Sequence, residues 1–241
     1  MQTPLKEPSR QEIWKMFDQI SATYDRVNRV MTFGLDQYWR KKMCRLLPQG
    51  KQLKVLDCAT GTGDQIICLK ENALSIDKVV GIDLAAEMVA LAQKKIAQKP
   101  YASQIKLQVA SALEIPYPDA TFDCITISFG IRNVTDVLGC LKEFVRVLKP
   151  GGRALILEGT LPANPLLRRL HLFYMRHLLP YIGGWISKKQ DAYRYLNKTI
   201  ETFPCGDAFI ELMLQAGFTQ STAHLMNGGI VTIYQGDKAN A

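Results

Sequence analysis

The chain has no apolar run long enough to cross a bilayer, no C-x-x-C pair among its six cysteines and only three histidines. The first absence excludes a spanning helix. The second argues against a zinc or dithiol centre, and no metal is expected. Cys44, Cys58, Cys68, Cys124, Cys140 and Cys205 each lie in or beside an apolar stretch, as buried reduced thiols do. Residues 1–10 are polar and proline-containing, with no secretory pattern, so a cytoplasmic location is expected. Carboxylates are scarce: 22 Asp and Glu stand against 30 Lys and Arg, a net charge of +8. That excess suits a plain lysine-rich surface, a nucleic acid or an anionic membrane. No basic stripe is interleaved with stacking aromatics, so nucleic acid is set aside. What the chain does have is apolar content: at 241 residues and 47% hydrophobic, it can fill the core of one α/β domain with appendages.

The hydrophobic pattern predicts an N-terminal helical cap over about 9–48. Ile13, Phe17, Ile20 and Tyr24 recur at helical spacing, and Phe33-Gly34-Leu35-Asp36 breaks the run before Trp39. Strands are predicted at 53–57, 78–83, 105–109, 122–128 and 153–158, and helices at 64–73, 85–98 and 134–148. Lys149-Pro150-Gly151-Gly152 reads as the turn that ends the last of these helices. This alternation predicts a parallel, doubly wound sheet with right-handed crossovers. A helix near 206–216 and β-runs at 218–225 and 230–235 follow, with Asn227-Gly228 as a hairpin signal. Seven strands are therefore expected, the last antiparallel. Residues 160–205 interrupt the pattern as an insertion, so 1–241 is read as one domain with that insertion before its C-terminal helix and hairpin.

Ligands of such sheets bind beyond the carboxyl ends of the strands. Ala59-Thr60-Gly61-Thr62-Gly63-Asp64 follows the first strand as a glycine loop whose amides can approach a ligand. The dinucleotide pattern fails because Ile66 stands at its third glycine, and no Gly-Lys-Ser/Thr follows for a P-loop. S-adenosylmethionine (SAM) fits better. Amides after Gly61, those of Thr62 and Gly63, suit its carboxylate; Asp57, Asp64 and backbone carbonyls suit its ammonium. Asp83, ending the second strand, is placed for both ribose hydroxyls. After the third strand, the Ser111 hydroxyl and the Ala112 N–H suit the adenine edge. After the fourth, Ser128-Phe129-Gly130-Ile131-Arg132-Asn133 carries an arginine toward an anionic or oxygen-rich partner.

These residues resemble the ubiquinone/menaquinone biosynthesis C-methyltransferase family (UbiE/MenG type). The resemblance covers nearly the whole chain: Phe17-x-x-Ile20-x-x-x-Tyr24-Asp25-x-x-Asn28, the loop from Asp57 to Asp64, the run from Phe122 to Asp136, Tyr193-Arg194-Tyr195-Leu196 and Gly228-Gly229-Ile230-Val231. The run from Phe122 to Asp136 is specific to that family among methyltransferases; the glycine loop is not. The resemblance implies a class I SAM-dependent methyltransferase fold with N-terminal helices and an inserted helical lid. It also implies methyl transfer from SAM to a ring carbon of a polyprenylated quinol, demethylmenaquinol or the benzoquinol precursor of ubiquinone. The family's SAM contacts fall on Thr62, Asp83, Ser111, Ala112 and Ser128. Departures are Ser111-Ala112 for Asn-Ala, Ala59-Thr60-Gly61 for Ala-Gly-Gly, and Glu158-Gly159-Thr160 for Glu-Phe-Ser.

Carbon methylation needs an electron-rich ring, and a quinol hydroxyl is a phenol with a reference pKa of about 10. Arg132 is the candidate to stabilise a developing phenolate and Asn133 to orient it; a structural loop pin is the alternative for Arg132. Tyr24, Asp191 and Tyr193 are candidate substrate contacts and proton acceptors, while His171, His177 and His224 fall outside the motifs. Leu166, Leu167, Leu170, Leu172 and Phe173 alternate with Arg168, Arg169 and Arg176, either as an ordinary packed helix or as an interfacial one. The second case predicts peripheral contact with the inner membrane surface. A homodimer stays open. Rival functions are a SAM methyltransferase for another small or lipid molecule and a non-catalytic SAM- or quinone-binding subunit.

Overall fold

In a computed structural model, the chain is described at residues 12–187 and 190–240, by backbone alone at 185–187 and 190–194. Seven strands form one sheet in the order β3-β2-β1-β4-β5-β7-β6. They are β1 (Leu53–Cys58), β2 (Ile76–Asp83), β3 (Ile105–Val109), β4 (Phe122–Ser128), β5 (Leu148–Gly159), β6 (Gln220–Met226) and β7 (Val231–Asp237). β1 through β5 pair in parallel, and β7 runs antiparallel between β5 and β6. The doubly wound sheet with an antiparallel last strand is thus as the sequence indicates. The reason is in the patterning: β4 reads Phe-Asp-Cys-Ile-Thr-Ile-Ser and is buried nearly throughout, as a central strand covered on both faces must be. The order reverses between β1 and β4, which opens a crevice at their carboxyl ends.

Helices α3 (Asp64–Asn72), α4 (Ala86–Ala97), α5 (Val137–Val147) and α9 (Asp207–Ala216) cover the two faces. Two boundaries differ from expectation by three residues or more. α5 begins at Val137, because Ile131–Asn133 tighten into a 3-10 turn and Asp136 takes the N-cap, its Oδ1 accepting from Gly139 N at 2.8 Å. Residues 149–152 are not a turn outside the sheet. They bulge from β5, so that Phe122 pairs Leu148 while Cys124 pairs Arg153, with Gly151 at φ +71°. The hairpin at Asn227-Gly228 is present; Asn227, Gly228 and Gly229 all take positive φ, and Met226 pairs Val231.

Two appendages roof the crevice. α1 (Ile13–Met31) buries Ile13, Ile20, Val27 and Met31 on one face, and α2 (Leu35–Cys44) follows a break at Phe33-Gly34. The insertion forms α6 (Pro165–Phe173), a π-helical turn over Tyr174–Leu178, α7 (Leu179–Ser187) and α8 (Gln190–Thr202). Ile20, Val27 and Met31 pack against Met175, Leu179 and Ile200 in a core separate from those of the sheet. Each such burial contributes roughly 1.5–3 kcal/mol. Tyr174 Oη also donates to Met31 O at 2.7 Å.

Loss of the α5 cap is a direct check on this boundary. Asp136→Ala should cost about 1 kcal/mol and lower the melting temperature by about 2–4 °C. An unchanged melting curve would place the start of α5 elsewhere.

Candidate active site

The glycine loop follows β1 because Ala59, Gly61 and Gly63 all adopt positive φ. Space beside the Gly61 Cα is open, whereas a Cβ on Gly130 would lie 2.6 Å from that of Ala59. The loop after β4 therefore crosses the glycine loop in near backbone contact, which a larger residue at 130 would prevent. Gly61 N donates to Asp83 Oδ2 at 2.8 Å and Ala85 N to Oδ1 at 2.9 Å. Each oxygen keeps a lone pair for a further donor. Burial pushes the Asp83 carboxyl up, while the Ala85 and Gly61 amides draw it down.

A cavity of about 310 Å³ lies here, within the range of small-ligand sites. Asp83, Ser111, Ala112 and Ser128 all line it, and Gly61 forms its floor at the loop. The donor set fits SAM: a carboxylate at the second strand end, a hydroxyl and an amide at the third, a hydroxyl at the fourth.

Four residues expected at this ligand, Asp57 and Asp64 by their carboxylates and Thr62 and Gly63 by their amides, do not line this cavity. Asp57 is 1% exposed and takes Thr60 Oγ1 at 2.7 Å and Thr126 Oγ1 at 2.6 Å, one on each oxygen. Burial pushes its carboxyl up to about 6, against the two threonine hydroxyls. It fastens β1 to β4, where Asp57 and Thr126 are register partners. The Thr62 hydroxyl turns to Asp25 Oδ1 on α1, and Gly63 is overlain by Ala92 and Ile96 of α4. Asp64 is likewise engaged, by Lys95 and Arg29, each at 2.7 Å. Against burial, Lys95, Arg40 and Arg29 hold the Asp64 carboxyl below its ordinary range.

A second cavity of about 410 Å³ extends under the insertion, past Leu167, Leu170 and Met175. It shares Phe17, Tyr24, Phe129 and Asn133 with the first. Its polar end holds Arg132, which is 4% exposed and ion-paired to the fully buried Glu158. Glu158 also accepts from Gly159 N at 2.8 Å. The structural-pin reading of Arg132 therefore has a physical basis. Even so, Arg132 Nε and Asn133 Oδ1 are buried without a hydrogen-bond partner. Unpaired buried polar atoms are costly, and both belong to residues lining this cavity, where a ligand would give them partners. Burial pushes the Tyr24 phenol up, opposed by Asn28, Arg132 and Arg40, so at neutral pH it is a protonated donor rather than a base. Asp191 and Tyr193 lie on α8, and their side chains fall outside the described ones.

Sequence reasoning missed Gln65 and Arg40. Gln65 Oε1 accepts from Ser128 Oγ and from Arg40 Nη1, both at 3.2 Å, and so links the two cavities. The signal was present: Asp36, Trp39, Arg40 and Met43 share the buried face of α2, where charges are unexpected.

Residues 5–238 match the ubiE/COQ5 methyltransferase family. The chain belongs to this family. It is 43% identical over 228 residues to the ubiquinone/menaquinone biosynthesis C-methyltransferase UbiE of Geotalea daltonii, covering 95% of this chain and 97% of that one. To the demethylmenaquinone methyltransferase of Thermus thermophilus it is 39% identical, covering 92% and 100%. Among solved structures, a SAM-dependent methyltransferase from Thermotoga maritima superposes with a TM-score of 0.65 at 19% identity, covering 93% of this chain and 99% of that one. The [4+2]-cyclase SpnF gives 0.65 at 13% identity, covering 99% and 100%, so this fold alone does not fix a reaction. By family and fold together, this ubiE/COQ5 member is a SAM-dependent methyltransferase.

Two outcomes check the geometry. Asp83→Ala should weaken SAM binding by about 1.5–3 kcal/mol, read by calorimetry; unchanged affinity in a folded variant would remove Asp83 from the site. Asp57 bears on pH. Its carboxyl is raised on folding, so its contribution to stability is present near pH 4 and lost as pH rises through about 6. The stability of wild type minus that of Asp57→Asn should therefore fall between about pH 4 and 7, by an amount on the order of 3 kcal/mol. A flat difference in denaturant titrations would contradict the buried setting.

Proposed function

We propose that this methyltransferase transfers the SAM methyl group to a ring carbon of a polyprenylated quinol. Demethylmenaquinol to menaquinol is the primary assignment, and the benzoquinol step of ubiquinone synthesis the second. The observation that carries this reading is the shared wall. The cavity suited to SAM meets a larger one at Tyr24, Phe129 and Asn133. The larger cavity has arginines at one end and an apolar run beneath the insertion helices, which suits a redox ring with an isoprenoid tail. The names of the relatives point the same way.

SAM supplies an electrophilic methyl group on sulfonium sulfur. The chain's part is to hold the ring carbon in line with it, which can contribute roughly 7–11 kcal/mol to lowering the barrier. Arg132 Nε and Asn133 meet the ring oxygen, and Tyr24 donates to the ring or to its hydroxyl. As the carbon–methyl bond forms, the methyl–sulfur bond breaks and the phenolate charge is cancelled against the sulfonium. The methylated ring carbon then loses its proton to water, which restores the aromatic quinol, and S-adenosylhomocysteine is the second product. Packing of Phe17 and Phe129 at the wall keeps water from the methyl group.

The substrate's tail directs the protein to a membrane surface. No helix of the described residues is long and apolar enough to cross one. On α6, Leu166, Leu170 and Phe173 are 69%, 60% and 57% exposed beside exposed Arg168 and Arg169. That pairing suits the interface of an anionic bilayer.

Methyl transfer from labelled SAM to a reduced naphthoquinol analogue tests the function. Transfer to the quinol and none to the oxidised quinone is the expected result. Labelling of a different acceptor with the quinol untouched would overturn it. Liposome flotation should show binding to anionic vesicles that falls with salt and with Phe173→Ser. Absence of binding at low salt, or a dimer in solution that covers α6, would assign that face otherwise.

A further inference from the structure

Two guanidinium groups reach the larger cavity, and they differ in one respect. Arg132 is paired with Glu158. Arg40 is 7% exposed and has no carboxylate within ion-pair distance among the described residues. Its neutral partners are Gln65 Oε1, at 3.2 Å from Nη1, and the ring of Phe129, 5.7 Å from the guanidinium to the ring centroid. Its Nε has no hydrogen-bond partner, nor has Gln65 Nε2 beside it. Asp36 also lines this cavity, but its charge is taken by Arg29. Asp57 and Asp64 act on Arg40 at longer range; neither lines the cavity, and Asp64 is held by Lys95 and Arg29.

Of the charged groups lining the cavity, Arg132 is paired with Glu158 and Asp36 with Arg29, which Asp64 shares. Arg40 is the one without a direct ion-pair partner among the described residues. A buried guanidinium with an unpartnered N–H is costly to leave without an acceptor, and the carboxylates that act on it at longer range are engaged by other groups. The group that would complete this donor is an oxygen acceptor carrying negative charge, which is what a quinol becomes on ionisation.

We propose that Arg40 is a catalytic residue: it binds the quinolate oxygen as its counter-ion, while Arg132, neutralised by Glu158, aligns the ring with Asn133. This rests on the quinol reading above. In this role Arg40 favours release of the quinol proton to solvent and holds the resulting anion beside Phe129, at the wall shared with the SAM cavity. Gln65 fixes the guanidinium and, through Ser128, ties its position to the SAM side.

The test uses a chromogenic nitronaphthol bound to the full chain with S-adenosylhomocysteine, its ionisation followed by absorbance. Wild type should bind it with a lowered pKa. Arg40→Met should raise the bound probe's pKa by about one unit or more, and Arg40→Lys should retain most of the wild-type shift. Turnover of the reduced quinol by Arg40→Met should fall on the order of a hundredfold near neutral pH, with the deficit narrowing as pH rises and the quinol ionises unaided. A purely structural role predicts a pH-independent deficit and no probe shift, and that result would overturn the proposal. If Arg40→Met does not fold, Arg40→Gln carries the same readouts. A wild type that methylates the quinol while Arg40→Gln leaves the probe's pKa unchanged would sink this role for Arg40 alone. A wild type that neither binds the naphthol nor methylates the quinol would remove the quinol reading as well.

Discussion

The site depends on α1 being held over the open end of the sheet. The clamp is polar and reaches across most of the N-terminal half. Asp25 on α1 meets Thr62 of the glycine loop and Lys95 of α4; Arg29 meets Asp64 and Asp36. Exposed ion pairs contribute little singly, but here one lysine bridges two carboxylates in a half-buried network. Without α1 both cavities lose Phe17 and Tyr24, and the wall between them keeps only Phe129 and Asn133. Thr62 and Asp64 therefore serve the cofactor loop from behind, by fixing the helix that covers it.

Charge inside the molecule follows the same logic. Polar side chains at the strand ends are buried in pairs: Asp57 between two threonine hydroxyls, Glu158 against Arg132, Thr160 against Thr232. Breaking such a pair leaves a desolvated group unpaired, so each fixes the register of its strand as much as it stabilises it. Among the described residues, the buried polar atoms without a hydrogen-bond partner include Arg132 Nε, Arg40 Nε, Asn133 Oδ1 and His171 Nε2, all on residues lining the larger cavity, and Gln65 Nε2 behind it; Asn197 Oδ1 and Ser221 Oγ lie elsewhere. Most of the unpaired atoms therefore gather at one cavity, as a ligand site requires.

Much of this was legible in the sequence because strand ends in an alternating α/β pattern fall at fixed places. Asp83, Ser111 and Ser128 each close a strand or follow it by two residues at most, and all three line one cavity. Side-chain direction was not legible. Asp57 ends an apolar run as Asp83 does, yet it points at Thr126 across the pair β1–β4, a partner 69 residues away. The Thr62 partner, Asp25, lies 37 residues upstream on a different element. The bulge at 149–152 was hidden because Lys-Pro-Gly-Gly has the composition of a free turn, and only pairing with β4 carries the strand through it. Arg40 was overlooked because a basic residue in a polar helix reads as solvated until its face is seen to be buried.

The central claim is that two ligands meet across one wall, and a crystal structure of the chain with S-adenosylhomocysteine and a naphthol bound together tests it most directly. The adenosyl group should lie by Asp83 and Ser111 with its sulfur toward Tyr24, Phe129 and Asn133. The naphthol ring should sit on the far side of that wall, its oxygen facing the end of the cavity lined by Arg40, Arg132 and Asn133. A ring bound away from the wall, or a closed wall between the two ligands, would contradict it.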